Sequence, residues 1–598
     1  MGSSTKTTSK RKSFDKDKDK DKYAMSISKK SKTTDESAAA NNKRALKQQR
    51  QSGRKHADVV VEAKGIWNLL RLKTNTKKQN RDLMDDLMPM ITGKANQIAL
   101  QHDASRVVQA AIQFGTPEER KLILTELCKD VGNLVELSKS QYAHFCVLKA
   151  VKYCHTDPAC VKLFCKAFKG HMAKMATHAV ASRVVESLFT NIPAKQTVIL
   201  KQEFYGPHFS LFAADVTAED ASVPTLESNL KSAPTKKEVT LDFVRHLVNK
   251  GIEKNLFGLT YFQKLFAEYC SAASPVEVRA LAATAADHAI HLLSTRAGTE
   301  VVAALTAYGT AKDRKRILKS LKGYARSGLL HHDAYLAIIR LVQLTDDTVS
   351  VQKNLLNELL TAASDDKKKD ESPLLEIALS DTGAKLLFML LIADKETRYK
   401  CFDPYEHSVL FPNPTIMEDG QEVPTSRKDH ELRRKELIKF LREPLIELCS
   451  KHTDQLLRSQ SGSVLIREVY HAYHSESLVS AMVDISQSAL ENDGAKDSKV
   501  LSLFEDPNGH LAVKNLLLAD ASVDEAPLAT AFYSSLKGRL MNVAKSNRGA
   551  FVVAALFKIP SLRDVVIAEL KAQKKTLKNL ADGKGSTAGF KALIKEIS

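Results

Sequence analysis

Cysteine is scarce in this chain, with 8 residues in 598, and tryptophan occurs once. So few thiols predict no disulfide framework and fit a reducing compartment. Long hydrophobic runs are missing as well. The longest nearly pure apolar stretch, Leu386 to Ala393, is eight residues, whereas a bilayer-spanning helix needs about 20. The N-terminus is polar from Met1 onward and lacks the apolar region of a secretory signal. The expectation is a chain that neither crosses a membrane nor is secreted. No Gly-rich phosphate loop of the GxxxxGK[ST] kind occurs, and no Ser/His/Asp order or carboxylate pair stands out, so the sequence predicts no enzyme. The densest Cys/His cluster is Cys154, His155, Cys160 and Cys165. Its spacing fits no compact zinc template, and Cys160 and Cys165 suit apolar helix positions, so no metal or cofactor is expected.

What the chain does have is positive charge. Its 89 Lys and Arg against 70 Asp and Glu leave +19, and the pI is about 9.3. A chain this basic commonly meets a polyanion. Residues 1–55 hold 13 Lys and 4 Arg against 6 acids, a net +11, which leaves +8 for the remainder. This segment has almost no large apolar residues and reads DKDKDKDK over Asp15–Lys22. It cannot bury enough surface to offset its ordering entropy, so residues 1–57 predict a disordered basic tail. Lys10-Arg11-Lys12, Lys29-Lys30-Ser31-Lys32 and Lys43-Arg44 have the make-up of nuclear-import clusters, in a tail that would also attract any polyanion.

From about residue 58 apolar residues recur at helical spacing in segments of about 10–16 residues, which predicts an all-α fold with no sheet. Four stretches break the pattern, at 213–240, 363–373, 402–426 and 491–499, and are expected to be irregular. The helices repeat. Gly115-Thr116-Pro117-Glu118-Glu119-Arg120-Lys121 returns 194 residues later as Gly309-Thr310-Ala311-Lys312-Asp313-Arg314-Lys315. In each, Gly ends one helix, Thr caps the next, and an acid three residues on closes the capping box. Ser105-Arg106-Val107-Val108-Gln109 returns 77 residues later as Ser182-Arg183-Val184-Val185-Glu186. Gly509, Gly549 and Gly589 precede apolar helices at intervals of 40 residues, and Gly462 and Gly383 open similar segments. A helical unit of 39–40 residues that buries its apolar face against its neighbours means a solenoid.

On the SRVVQ helix, Val107, Val108, Ala111 and Ile112 form the apolar stripe. Ser105, Arg106 and Gln109 are expected on the opposite face, where serine and glutamine could bond a base edge and the guanidinium could stack. Ser182, Arg183 and Glu186 repeat the set.

These SRxxQ and SRxxE pentads at a period near 39 resemble pumilio (PUF) repeats, and the wider sequence resembles the divergent nucleolar branch of that family, the Puf-A type with a CPL domain. The segments carrying the likeness include Leu100–Gln109, Phe168–His171, Gly309–Lys315, Arg433–Leu437 and Ser546–Ala550. The resemblance implies an α-helical solenoid of about eleven repeats in two arms. It divides the chain into pumilio-like repeats at 58–400, an irregular linker at 401–430 and CPL-type helical repeats at 431–598. It also implies a nuclear and nucleolar protein that binds structured RNA with little sequence preference and acts in large-subunit ribosome assembly. Its partners would be pre-ribosomal RNA and proteins, with mRNA or DNA as alternatives, and it would sit as a monomer within a larger particle.

The chain departs from the PUF code at most repeats. The pentad after Arg106 offers His144, Phe145 and Leu148, where Phe145 can stack but Leu148 reads no edge. Further on, the sets are Thr299, Glu300 and Ala303, then Ala334, Tyr335 and Ile338, then Ala384, Lys385 and Phe388. Two full reading sets supply too little discrimination for an eight-base reader, so shape and phosphate recognition is the economical expectation. Arg433, Arg434, Lys435, Lys571, Lys574, Lys575 and Lys578 are candidate phosphate contacts. Trp67 reads as a packing anchor at the N-terminal end. Two other readings stay open: an mRNA-binding regulator of the classical pumilio kind, and a protein-binding solenoid of the HEAT kind.

Overall fold

The computed structural model describes residues 55–211, 223–361, 372–491, 501–583 and 586–597. The three basic clusters of the tail lie outside the described residues. The described residues form a helical-repeat fold, and several of its helices begin where the sequence supplies caps. Thr116 accepts the Glu119 N–H at 3.3 Å while Glu119 accepts the Thr116 N–H at 2.8 Å, and Thr310 and Asp313 form the same reciprocal pair. The sixth residue of the repeated motif has a role that spacing did not reveal. Arg120 Nε donates to the Ile112 carbonyl at 2.9 Å and its Nη2 to that of Gln113 at 3.1 Å. Arg314 does the same to Thr306 and Ala307, at 2.8 and 3.2 Å. The motif thus satisfies orphan amides of one helix and orphan carbonyls of the helix before it.

Eleven helices recur at corresponding places of the repeats among the described residues. They are α1 (Ser105–Phe114), α2 (His144–Cys154), α3 (Ser182–Asn191), α4 (Thr260–Ala272), α5 (Arg296–Tyr308), α6 (Tyr335–Leu344), α7 (Ala384–Leu391), α8 (Gln460–Tyr473), α9 (Gly509–Asp520), α10 (Asn547–Leu556) and α11 (Ala588–Ile597). The chain divides into two compact units, one of residues up to 171 with 179–192, the other of 172–178 with 193–598. The division therefore falls by α3, ahead of the 401–430 segment. In the first unit α1, α2 and α3 pack in sequence; in the second, α4 to α11 do.

Two devices hold the helices of a repeat together. A glutamate near the end of the repeat accepts N–H groups from the short helix that opens it. Glu126 takes those of Gly93 and Ala95 at 2.9 and 2.7 Å, Glu203 takes that of Met172 at 2.8 Å, and Glu358 takes that of Ala325 at 2.9 Å. The periodic glycines mark a close approach. A Cβ on Gly462 or Gly509 would lie 2.6 Å from the carbonyl oxygen six residues earlier, of Leu456 or Leu503. Only glycine lets these helices start so near their neighbours.

The stretches expected to be irregular are not uniformly so. Residues 212–222, 362–371 and 492–500, which take up much of three of them, lie outside the described residues. Helix Leu226–Ser232 and the start of helix Lys237–Glu253 occupy the second half of 213–240. The 401–430 segment is no irregular linker. It carries helix Pro404–Leu410 and a two-stranded antiparallel sheet, β1 (Thr415–Glu418) and β2 (Gln421–Pro424), with Thr415 opposite Pro424 and Glu418 opposite Gln421. The expectation of no sheet is corrected by this hairpin. Its turn is Asp419-Gly420, both at positive φ (51° and 79°), the chemistry that two-residue hairpins prefer.

The longest apolar run is explained by α6 and α7. Every residue of α6 is buried, and Leu386 through Leu391 of α7 are buried. Helix Pro404–Leu410 covers α6 on one side, and the long helix His430–Lys451 packs on α6 and α7. A helix hydrophobic all round is one that neighbours enclose.

Candidate nucleic-acid interface

In the first unit the row of second-position side chains is open. Arg106 on α1, Phe145 on α2 and Arg183 on α3 are all exposed, Phe145 by 44%. Phe145 lies against His144, ring centroids 3.9 Å apart. The valines beside them, Val107, Val108, Val147, Val184 and Val185, are fully buried and fix the row's orientation. Gln109 and Glu186, at the fifth positions, are half-buried.

The first positions are placed differently from expectation. Ser105, His144 and Ser182 are buried, not on the solvent face. Ser105 Oγ lies 3.4 Å from the His102 carbonyl and 3.5 Å from Gln109 Nε2. His144 Nδ1 is 2.9 Å from the Ser140 carbonyl, and its Nε2 has no partner. Burial, aided by Arg183, holds this imidazole below its ordinary pKa and so neutral, although its bond to Ser140 pulls the other way. The correction has a simple cause. The pentad opens the helix, and at its first turn the chain still turns inward against the preceding repeat, so position one faces the floor while positions two and five face outward.

In the second unit the equivalent row is occupied. Helix Pro404–Leu410 begins with a capping box between Asp403 and Glu406. Tyr405 Oη donates to Glu300 Oε1 of α5 at 2.9 Å, and the Arg296 guanidinium lies 3.3 Å from the Tyr405 ring centroid. Glu406, completely buried, accepts from Tyr335 Oη of α6 and from Lys385 Nζ of α7. Burial and the Glu406 carboxylate both push the Tyr335 phenol far up, so it stays a donor. Three successive second-position residues, Glu300, Tyr335 and Lys385, are thus bonded to one short helix of the same chain. Sequence reasoning missed this contact because it links positions about 20 to 105 apart. The helix itself was legible, since Asp403-Pro404-x-Glu406 is a capped start.

The candidate phosphate contacts separate into two groups. Arg433 and Arg434 are buried and turned inward, which corrects their assignment. Arg433 Nη2 donates to Ser426 Oγ and the Lys428 carbonyl, each at 2.6 Å. Arg434 Nη1 donates to the Leu390 carbonyl at 2.7 Å, and its Nε to Glu431 at 2.7 Å. These arginines hold the 401–430 segment and α7 to helix His430–Lys451 and are spent on protein. Lys435, Lys571, Lys575 and Lys578 are exposed, and Lys574 is half-buried. Trp67 is also half-buried, and the guanidinium carbon of Arg106 lies 5.7 Å from its ring centroid, so it adjoins the open row instead of serving only as an anchor.

Comparison with known proteins agrees with this geometry. The model described as "Pumilio-family RNA binding repeat" matches residues 95–128 and 171–203, which contain α1 and α3. The model described as "CPL (NUC119) domain" matches residues 402–527, so it starts with the segment that covers α5–α7 and not at 431. Over 585 residues the chain is 30% identical to rat "Pumilio homolog 3", covering 94% of this chain and 85% of the rat protein. It is 28% identical to the fission-yeast "Pumilio homology domain family member 6", over 86% of this chain and 77% of that protein. Among solved structures, human Puf-A superposes with a TM-score of 0.74 at 27% identity, covering 90% of this chain and 99% of that one. A second human Puf-A structure, in complex with DNA, gives a TM-score of 0.73. The chain belongs to the Puf-A, or Pumilio homolog 3, family, a non-enzymatic family that joins pumilio repeats to a CPL domain.

Proposed function

We propose that this chain is a nucleic-acid-binding solenoid that holds structured or single-stranded RNA mainly through stacking and phosphate contact, with little sequence preference, during pre-rRNA processing and large ribosomal subunit assembly in the nucleolus. The observation that carries the binding mode is the open row of Arg106, Phe145 and Arg183 beside an occupied row at α5–α7. An arginine plane or an aromatic face accepts any base, since every base has a π face. Three consecutive stacking positions with at most two edge-reading partners, Gln109 and Glu186, give binding without a long code. The excess of +8 in the body and +11 in the tail supplies the sequence-independent electrostatic attraction. The complex of human Puf-A with DNA supports a surface that tolerates either sugar.

The assembly role and nucleolar location rest on the family and on the basic tail. Crosslinking the protein to RNA in cells and sequencing the bound fragments tests both. Pre-ribosomal RNA is expected, and enrichment of mRNA 3′ ends would replace this reading with that of a classical regulator. Removal of residues 1–55 is expected to lower nuclear and nucleolar accumulation; unchanged localisation would place the import signal in the body.

A further inference from the structure

The open row does not end at Arg106. Beyond it, within the first unit, a groove of about 670 Å³ lies between helix Ala57–Leu70, the turn after it and α1. That volume falls in the range of small-ligand sites. Its wall is the sole tryptophan, Trp67. Around it stand Arg71, Lys73, Arg106 and Lys149, with the Gln109 and Gln113 amides between them. Among the described residues, no carboxylate lines it. Arg71 and Arg106 bring their guanidinium carbons to 5.3 and 5.7 Å from the Trp67 ring centroid, so each is poised over the π face. Lys149 Nζ donates to Gln113 Oε1 at 2.7 Å.

Among the described residues, the charge in this groove is uncompensated. Elsewhere in the same unit, Arg81 pairs with Glu119 at 2.6 Å and Lys64 with Asp103 at 3.1 Å. Arg71, Lys73 and Arg106 have no carboxylate partner among the described residues. Four cations around an aromatic face, with amide donors and acceptors and no acid, suit a ligand that is at once flat, hydrogen-bonding and anionic.

We propose that this groove takes one nucleotide unit, its base stacked against the Trp67–Arg106 pair and its phosphate on Arg71, Lys73 and Lys149. This rests on the reading of the α1–α3 row as a nucleic-acid surface and extends it by one base beyond the first repeat. The Gln109 and Gln113 amides can meet any base edge by rotation, so the site orients the base without choosing it. The same chemistry would accept a nucleoside monophosphate or an unstacked residue of a strand.

The single tryptophan makes the test site-specific. The full chain is titrated with a labelled ten-nucleotide poly(U) strand, reading strand anisotropy and Trp67 emission together, and separately with uridine monophosphate. Emission is expected to be quenched in step with the anisotropy rise. Quenching by uridine monophosphate as well would make the groove a free-nucleotide site, and quenching by the strand alone would make it a strand site; either supports the proposal. Trp67→Ala is expected to weaken strand binding about 5- to 150-fold, the range of one lost stacking contact, while Trp67→Phe retains it within about threefold. Arg71→Gln with Lys73→Gln, at exposed positions with no carboxylate partner among the described residues, is expected to weaken it about tenfold or more. An anisotropy rise with unchanged Trp67 emission, or wild-type affinity in the Arg71/Lys73 variant, overturns the groove and leaves the row intact. No anisotropy rise at all overturns the nucleic-acid reading itself.

Discussion

The rows at α1–α3 and at α5–α7 are built from the same helix in the same register and end in opposite states. In the first, the outward residues are Arg106, Phe145 and Arg183, and no described residue of the first unit makes a hydrogen bond or ion pair to their side chains. In the second, they are Glu300, Tyr335 and Lys385, and a helix of the same chain takes all three. The chemistry explains the difference. Glu300 repels phosphate, whereas the donors Tyr335 and Lys385 call for an acceptor, which Glu406 supplies from a fully buried position. One capped helix thus makes the second row a joint within the chain, through one residue per repeat. The family match starting at residue 402 places that helix in the CPL domain.

The comparison is broken most forcefully at Glu406. Glu406→Ala leaves the buried Tyr335 phenol and the Lys385 ammonium without an acceptor, and a destabilisation of about 3–5 kcal/mol is expected for a broken buried pair. Urea unfolding monitored by circular dichroism measures it, and an unchanged midpoint would show that the covering helix is only loosely applied. Arg433→Ala should behave alike, losing stability and not salt dependence of binding, because its guanidinium is spent on protein groups.

Substitutions in the open row should act on binding instead. Arg106→Ala, Phe145→Ala and Arg183→Ala are each expected to lower RNA affinity by about 1–3 kcal/mol at constant stability. Lys385→Ala should leave affinity unchanged. Fluorescence anisotropy on one unstructured RNA settles this, and wild-type affinity in all three row variants would make the row an ordinary solvated face.

Smaller effects sharpen the picture. Replacing Lys571, Lys575 and Lys578 by Gln should flatten the dependence of log K on log salt by about 2, at about 0.7 per lost phosphate contact. A slope unchanged within error would take these lysines out of the interface. Smallest of all, Gln109→Ala should change affinity for mixed-sequence RNA by less than about twofold, since it removes one edge contact that no single base monopolises. A loss above tenfold on one sequence alone would restore base reading to α1.

Much of the fold was legible because its signals are local. Thr116 and Thr310 announce helix starts, the pentads announce a repeat, and the 40-residue glycines announce a backbone contact that Gly462 and Gly509 realise. The Asp419-Gly420 hairpin and the capped start at Asp403 were equally local and were passed over among prolines and charges. The burial of Ser105, His144 and Ser182 was less accessible. Helical periodicity assigns faces relative to a helix's own stripe, whereas its first turn is judged by what the preceding repeat puts against it.

The sequence by itself determined the helices, their period, the family and the second-position residues Arg106, Phe145 and Arg183 of the open row, because caps, apolar spacing and pentads act within a few residues of one another. Only the tertiary structure decided which arginines face solvent and which row is open. Arg433 and Arg106 are the same side chain, and their fates differ by the carbonyls and rings that distant segments bring to them. Glu406 reaches Tyr335 across 71 positions, a separation at which no pattern along the chain carries information about contact.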